Sequence, residues 1–214
     1  DVSFLKQLKE LVLEYIKENR LILVCGGGYT CRFYQDAAKK LSNKSSVKSL
    51  RPSDEDLDWI GIMATRLNAE LIRVLFKDVA HETVIYNPEE KINTKKHLII
   101  GAGYKPGWST DYDTVLLAKQ FSADLIINTS NIDYVYDKDP NKFKDAKKIE
   151  VLSWQEYKQL IGGKFVPGMH APFDPVASKI AQKEGMEVVI CNGNDLINLR
   201  NILVGKTFKG TVIK

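Results

Sequence analysis

The stretch GAGYKPGWSTDYDTVLLAKQFSADLIINTSNIDYVYDKDP, residues 101–140, combines a glycine-rich loop, a helix, a strand and a polar loop. The apolar residues 98–100 predict a short strand that delivers the chain into the glycine-rich loop. Residues 109–113 predict a helix start, with Thr110 and Asp113 as the two partners of a capping box. Such a loop favours a bound phosphate, because its free amides and the helix dipole both point at the same place.

The second half of this stretch predicts another ligand-binding edge. Residues 124–128 form an apolar run typical of a strand inside a parallel sheet, and a polar loop with two tyrosines follows. Ligands of open α/β sheets gather at the carboxyl ends of the strands, and two such ends lie here. A glycine loop can also be a simple tight turn, and residues 137–140 can be a solvated turn. The occurrence of both features together is what favours a nucleotide site.

A second glycine-rich bend lies nearer the beginning of the sequence. Residues 20–25 predict a short buried strand that enters Gly26-Gly27-Gly28, and Arg32 follows one turn into the next helix. Glycines let the backbone approach a ligand closely, and a guanidinium group can bind phosphate through two parallel hydrogen bonds. The alternative interpretation is a turn followed by a surface arginine.

The remaining pattern predicts strands that alternate with helices. Ser53 and Asp56 predict a capping box at the start of a long helix that carries Asp58, Gly61 and Asn68. Further helices are predicted at 3–18, 153–161, 174–184 and 195–203, strands at 83–86, 148–151, 187–191 and 210–213, and loops at 42–53 and 162–173. This alternation predicts an α/β fold, a three-layer αβα sandwich with a mostly parallel central sheet. A P-loop at Gly205-Lys206-Thr207 fails because Arg200 stands where its first glycine belongs, and a dinucleotide fingerprint after Gly101 fails because its next glycine comes one residue late.

Composition narrows the class of protein. The 214 residues carry a formal net charge of +4, with lysines scattered among acids, which does not indicate nucleic-acid binding. Three separated histidines and three cysteines without a CxxC pair make a zinc site unexpected and fit a reducing cytoplasm. Cys25 and Cys191 end apolar strands and are predicted to be buried. No apolar run reaches membrane-spanning length, so no membrane partner is expected.

Five stretches together resemble the amino-acid-kinase family and, within it, the archaeal-like uridylate (UMP) kinases. They are Gly26–Gly28 with Arg32, Asp58–Asn68, Gly107–Asp111, Ala123–Pro140 and Asp174–Lys179, in the order of the family. The resemblance covers essentially the whole chain. It implies a single domain over residues 1–214, with an acceptor (UMP) side at roughly 1–122 and an ATP side at roughly 123–214.

The resemblance implies transfer of the γ-phosphate of MgATP to UMP, which gives UDP and ADP in pyrimidine biosynthesis. It implies catalytic roles for Asp111 and Arg32, and Mg²⁺ that bridges the ATP phosphates, with no protein residue assigned as a metal ligand. The residues expected to bind UMP are Gly27, Asp58, Tyr104, Lys105, Pro106, Gly107, Trp108, Ser109 and Thr110. Those expected to bind ATP are Gly28, Arg32, Ser130, Asn131, Tyr136 and Asp139. The family also implies a homo-oligomer, with a hexamer favoured.

Three departures from the family pattern leave alternatives open. The family begins with a strand that ends in Lys-x-x-Gly-Gly-Ser, and no residue before Val2 supplies it, so the strand is expected outside this sequence or the chain is impaired. Tyr29 and Tyr134 replace the usual asparagine and glycine and are expected to alter nucleotide preference. The rival hypotheses are a kinase of this fold for carbamate, isopentenyl phosphate or an acyl amino acid, and a non-catalytic nucleotide-binding protein.

Overall fold

The computed structural model describes residues 1–42, 51–140, 142–162 and 171–214. The helices are α1 (Val2–Tyr15), α2 (Gly28–Ser42), α3 (Asp54–Leu75), α4 (Thr110–Gln120), α5 (Trp154–Leu160), α6 (Pro175–Lys183) and α7 (Leu196–Leu203). The strands are β1 (Leu21–Val24), β2 (Leu98–Gly101), β3 (Leu125–Ser130), β4 (Val135–Tyr136), β5 (Lys148–Ile149), β6 (Val151–Leu152), β7 (Glu187–Asn192) and β8 (Thr211–Ile213). The predicted loop at 42–53 and most of that at 162–173 fall outside the described residues.

The chain divides into two compact units. The central unit is Ile16–Leu117, and the flanking unit combines Asp1–Tyr15 with Ala118–Lys214. None of the helices in the described ranges has the length and apolarity needed to cross a membrane.

The central unit is built on a parallel pair of strands. β1 pairs with β2 in a register that sets Leu21 opposite Leu98, and all four residues of β2 are buried. Helices α2 and α3 pack against each other in the same unit. The carboxyl ends of β1 and β2 therefore lie side by side, and each leads directly into one of the two glycine-rich bends.

The strand predicted at 83–86 is wrong. Only Ile85 pairs with β2 there, as an isolated bridge to Gly101, and Ala80 makes a second isolated bridge to Leu98. Val84 and Ile85 are buried, so the apolar pair that suggested a strand does pack inward. The backbone around it meets β2 at separate points instead of running alongside it.

The flanking unit contains a sheet of order β3-β7-β8-β6 and a small β4-β5 antiparallel pair. β3 and β7 are parallel, β6 and β8 are parallel, and β8 runs antiparallel to β7. The predicted α/β class with mostly parallel strands is confirmed. Cys191 is buried in β7 as predicted, whereas the prediction for Cys25 is wrong, because that residue stays partly exposed just beyond β1.

Most predicted helix starts are confirmed. Ser53 and Ser153 begin α3 and α5 with complete capping boxes, and Asp174 accepts two amide hydrogen bonds before Pro175 at the start of α6. The capping box predicted between Thr110 and Asp113 is wrong.

Helix α4 begins differently because its first turn has other partners. Ser109 takes the capping position, and its Oγ accepts a hydrogen bond from the Tyr112 amide at 3.2 Å. Thr110 is already helical, and Asp113 faces the interior, where its carboxylate accepts from the amide of Tyr104.

Candidate functional site

One face of α3 holds both glycine-rich bends of the central unit. Oδ2 of Asp58 accepts a hydrogen bond from the Gly107 amide at 2.8 Å. Ten residues along the helix, Nδ2 of Asn68 donates to the Gly26 carbonyl at 2.8 Å. Between them, the Gly61 carbonyl lies 3.4 Å from the position that a Cβ on Gly27 would occupy. Both bends therefore lie against the same helix.

The sequence places these contacts on one face through helical spacing. Residues three or four apart are neighbours on a helix surface, and Asp58, Gly61, Thr65 and Asn68 follow each other at those intervals. Gly61 has no side chain, so α3 can approach the Sγ of Cys31, which would lie 3.3 Å from an added Cβ. The side chains of Asp58, Thr65 and Asn68, with the bare backbone of Gly61 between them, therefore form a continuous strip along one face of α3.

The first bend requires glycine at Gly27. A Cβ there would lie 2.5 Å from the Cβ of Cys31, which is closer than real carbon atoms approach. Gly28 has a φ of +57°, the left-handed region that glycine adopts without strain. Helix α2 starts at Gly28, and Arg32 lies exposed one turn further along. The bend therefore presents backbone and a guanidinium group with little bulk between them.

The 103–109 loop, the second bend, is held where it leaves β2. The Gly103 amide donates to Oγ1 of Thr65 at 2.8 Å, and that hydroxyl donates to the Ile62 carbonyl at 2.7 Å. The guanidinium of Arg66 donates to the carbonyls of Gly103 and Tyr104 at 3.3 and 3.0 Å. Arg66 is a site residue that sequence reasoning missed, because an arginine within a helix has no pattern that marks its partner.

The middle of the loop carries a cluster of aromatic and basic side chains. The Tyr104 hydroxyl donates to Oε2 of Glu89 at 2.8 Å, and Nζ of Lys105 lies 3.6 Å from the same oxygen. Trp108 stacks on Tyr112 with ring centroids 4.0 Å apart and planes 24° apart. Trp108 keeps 39% of its surface exposed, so a flat, accessible ring remains. Pro106, which lies between Lys105 and Gly107 in the sequence, is half-buried. Gly107 turns the chain with a φ of +83°.

The start of α4 completes the loop. Thr110 and Asp111 stand in the first helical turn, where the helix dipole favours an anion. Asp113, which the sequence predicted only as a capping partner of Thr110 and not as a site residue, is only 1% exposed. Burial raises the pKa of its carboxyl to about 7, against the opposing effects of the Tyr104 amide and of Arg66. A signal existed in the sequence: Asp113 shares the buried face of α4 with Leu117, four residues on.

In the flanking unit, the carboxyl ends of two neighbouring parallel strands carry polar residues. Ser130 ends β3 opposite Asn192 at the end of β7, and the Gly193 amide donates to the Ser130 carbonyl at 2.8 Å. Nδ2 of Asn192 donates to Oδ1 of Asp133 at 3.0 Å, which ties the polar loop to the edge of the sheet. This edge is where an α/β sheet binds ligands.

The other residues predicted to bind ATP lie further along the same loop. Asn131 follows Ser130 and accepts from its hydroxyl at 3.3 Å. Tyr136 lies in β4, paired with Lys148 of β5, and Asp139 follows in the turn with Nζ of Lys142 at 3.6 Å. Nζ of Lys148 lies 4.6 Å from the ring centre of Tyr134, the aromatic residue that departs from the family pattern.

Within the described ranges, no group of three or more His, Cys, Asp or Glu side chains is arranged to hold a metal ion. The amide-rich bends and the strand ends are instead suited to an anionic ligand, because backbone N–H groups and helix N-termini bind phosphate without a metal.

Comparison with known proteins places the chain in a family. Residues 2–192 match the model of the amino acid kinase family. The uridylate kinase of Methanobrevibacter smithii is 32% identical over 100% of this chain and 92% of its own length. That of Thermoplasma volcanium is 34% identical over 96% of this chain and 87% of its own length. The crystal structure of uridylate kinase from Archaeoglobus fulgidus superimposes with a TM-score of 0.82 at 28% identity, and covers 100% of this chain and 94% of that one. The chain therefore belongs to the amino acid kinase family.

Proposed function

We propose that this chain is a nucleoside monophosphate kinase that transfers the γ-phosphate of MgATP to UMP. The observation that carries the proposal is the strip on α3 that holds both glycine-rich bends, through Asp58 to Gly107 and through Asn68 to Gly26. Full-length similarity to proteins named uridylate kinase supports UMP over the other acceptors of the fold.

The acceptor is assigned to the central unit. Gly27 donates a backbone amide to the UMP phosphate, and the guanidinium group of Arg32 binds the same phosphate through two parallel hydrogen bonds. Asp58 holds the Gly107 amide through Oδ2, which leaves Oδ1 to accept from a ribose hydroxyl. The remaining residues of the acceptor site wrap the nucleotide, with Thr110 near the base: Tyr104, Lys105, Pro106, Gly107, Trp108, Ser109 and Thr110.

Phosphoryl transfer needs positioning and charge stabilisation more than covalent chemistry. Asp111, in the first turn of α4, is assigned to orienting the reacting groups, and Arg32 to stabilising charge on the transferred phosphate. Mg²⁺ arrives as part of MgATP and offsets the charge between the phosphates.

The ATP side is assigned chiefly to the flanking unit. Ser130 and Asn131 stand at the carboxyl end of β3, and Asp139 lies in the loop that follows. Tyr136 is assigned to contact with adenine, and Gly28 is assigned to contact with the transferring phosphate. We place this reaction in the cytoplasm.

A coupled assay of ADP release tests the proposal against both rivals. The purified chain is supplied with MgATP and, in turn, UMP, CMP, carbamate, isopentenyl phosphate or N-acetylglutamate. ADP release that depends on UMP, with UDP as the product, is the expected result. Release only with carbamate or another non-nucleotide acceptor would assign a different kinase. Nucleotide binding by calorimetry without turnover on any acceptor would point to a non-catalytic protein.

We further propose that the chain assembles into a homo-oligomer, with a hexamer favoured. The support is an apolar stripe on α3 that remains exposed. Its members are Trp59, Met63, Leu67, Leu71 and Val74, each 43–65% exposed and spaced three or four residues apart. Exposed apolar stripes of this extent mark interaction surfaces, and a second copy of the same helix is a matching apolar partner under two-fold symmetry.

A further inference from the structure

The most unusual buried group in the central unit is the carboxyl of Asp113. Oδ2 accepts a hydrogen bond from the Tyr104 amide at 3.1 Å, and Oδ1 is buried with no hydrogen-bond partner among the described residues. A buried polar atom without a partner costs free energy, which folded proteins normally avoid. An aspartate retained at such a position therefore calls for a functional explanation.

The position of Asp113 is informative. It reaches from the first turn of α4 back to Tyr104 in the 103–109 loop, the loop assigned to the acceptor. On the other side of the same backbone, Arg66 holds the carbonyls of Gly103 and Tyr104. The Gly103–Tyr104 segment is thus fixed from α3 through both carbonyls and the Gly103 amide, and from α4 through the Tyr104 amide.

We propose that Asp113 is a positioning residue that holds the 103–109 loop against α4. We call this contact the seat, and we propose that its strength depends on whether the carboxyl is protonated. The inference rests on the proposed function, because it takes this loop as the acceptor loop. It adds that the loop is seated while the carboxyl is protonated and is released more often when the carboxyl is ionised.

Burial explains why protonation, and not ionisation, favours the seated loop. A carboxylate ion loses its hydration when the loop covers it, whereas the neutral acid loses much less, so protonation favours the covered state. The charged groups that face Asp113 are Arg66 on α3, Lys105 on the loop and Asp111 on its own helix. The two cations oppose the effect of burial and Asp111 reinforces it, and the balance raises the pKa of Asp113 to about 7. Deprotonation above neutral pH therefore weakens the seat.

The test compares the acceptor KM of wild type, Asp113→Asn and Asp113→Leu between pH 6 and pH 9. Asn keeps an oxygen for the Tyr104 amide and cannot ionise, whereas Leu leaves that amide without an acceptor. Asp78→Asn, a change at an exposed carboxylate of the same unit, is the matched control. The phosphate of UMP also titrates near pH 6, so the informative quantity is the ratio of wild-type to variant KM at each pH.

We expect the wild-type KM for UMP to rise above that of Asp113→Asn by up to about tenfold per pH unit above 7, the limit for one linked proton. The kcat of this variant should stay near that of wild type, and Asp113→Leu should have a raised KM at every pH. A ratio for Asp113→Asn that stays flat across the range overturns the proposal, as does an unchanged KM for Asp113→Leu.

Hydrogen exchange of the peptide that contains residues 103–109, without nucleotide, separates this inference from the proposed function. We expect exchange in wild type to accelerate relative to Asp113→Asn as the pH rises, since intrinsic exchange rates cancel in that comparison. Identical protection in the two proteins overturns the proton-linked seat. A wild type that shows this difference but does not phosphorylate UMP overturns the proposed function and leaves the seat supported.

Discussion

At the scale of single residues, Arg32 is an exposed side chain among the groups assigned to the reaction. It stands one turn into α2, beyond the bend at Gly27 and Gly28, with its side chain accessible to solvent. A guanidinium in this position can form two parallel hydrogen bonds to a phosphate, which a lysine cannot reproduce.

Arg32→Ala should weaken binding of UMP by about 1.5 to 3 kcal/mol, the usual value of hydrogen bonds to charged groups. Lys39→Ala removes another exposed cation of α2 and serves as the control, since it lies two turns further from the bend. Titration calorimetry with UMP measures the difference. Equal affinities for the two variants would mean that Arg32 is an ordinary surface residue.

Asp113 also predicts how stability depends on pH. Its pKa is about 7 in the folded chain and near 4 in an unfolded one, so folding favours the neutral form. The stability that this group contributes is complete below pH 4 and is lost as the pH rises through 7. Three pKa units correspond to at most about 4 kcal/mol.

Asp113→Asn removes this dependence. We expect its melting temperature to exceed that of wild type by a margin that grows from pH 5 to pH 8, since all other titrating groups are common to both proteins. Circular dichroism melts at several pH values measure the margin. A constant margin would contradict the raised pKa.

At the scale of elements, α3 acts as the brace of the proposed acceptor site, in the sense that its side chains hold both glycine-rich bends in place. Asp58 and Asn68 contact different bends from the same face, so the helix fixes the spacing between them. Its capping box at Ser53 and Asp56 satisfies amides at its start.

Asp58→Asn tests this brace. The side-chain oxygen of Asn can still accept a hydrogen bond from the Gly107 amide, but the negative charge of the aspartate is gone. A charge-assisted hydrogen bond therefore becomes a neutral one of about half the strength. We expect the KM for UMP to rise several-fold while the melting temperature changes little. Glu55→Gln, at an exposed position in the first turn of α3, is the control. A KM that matches the control would remove Asp58 from the acceptor site.

The elements also show what the sequence could and could not predict. Capping boxes at Ser53 and Ser153 were predictable because both partners lie within four residues. The box at Thr110 failed because Asp113 has a better partner in Tyr104, which the local pattern does not include. The strand at 83–86 failed for the same reason, since pairing with β2 depends on residues distant in sequence.

The candidate site was partly predictable for the same physical reasons. Glycine bends and helix starts mark a phosphate site through local chemistry, so Gly27 and Gly107 could be selected without coordinates. The hydrogen bond from Asn68 of α3 to the first bend, and those from Arg66 to the 103–109 loop, are tertiary contacts that no local spacing encodes. The antiparallel β8 was equally hidden, because its neighbours are set by the whole sheet.

At the scale of the whole molecule, the exposed stripe on α3 predicts self-association. Leu67 is 65% exposed at the middle of the stripe. Leu67→Glu would place a charge in an apolar interface, where burying it without a partner is costly. We therefore expect the oligomer to dissociate into smaller species.

Light scattering coupled to size-exclusion chromatography measures the mass of this variant. Ile197→Glu, at an apolar position of α7 that is 78% exposed, is the control and should keep the mass of wild type. Unchanged mass for Leu67→Glu would place the contact between copies elsewhere.

The strand order of the flanking unit has a consequence for biosynthesis. β8 lies between β7 and β6, although it follows both of them in the chain, and α1 packs on α7. A ribosome therefore synthesises β6 and β7 before β8, the strand that joins them, and synthesises α1 long before α7, its packing partner. Nascent chains of this unit expose unpaired strand edges until residues 211–213 emerge, so chaperone capture of the unit should persist until that point.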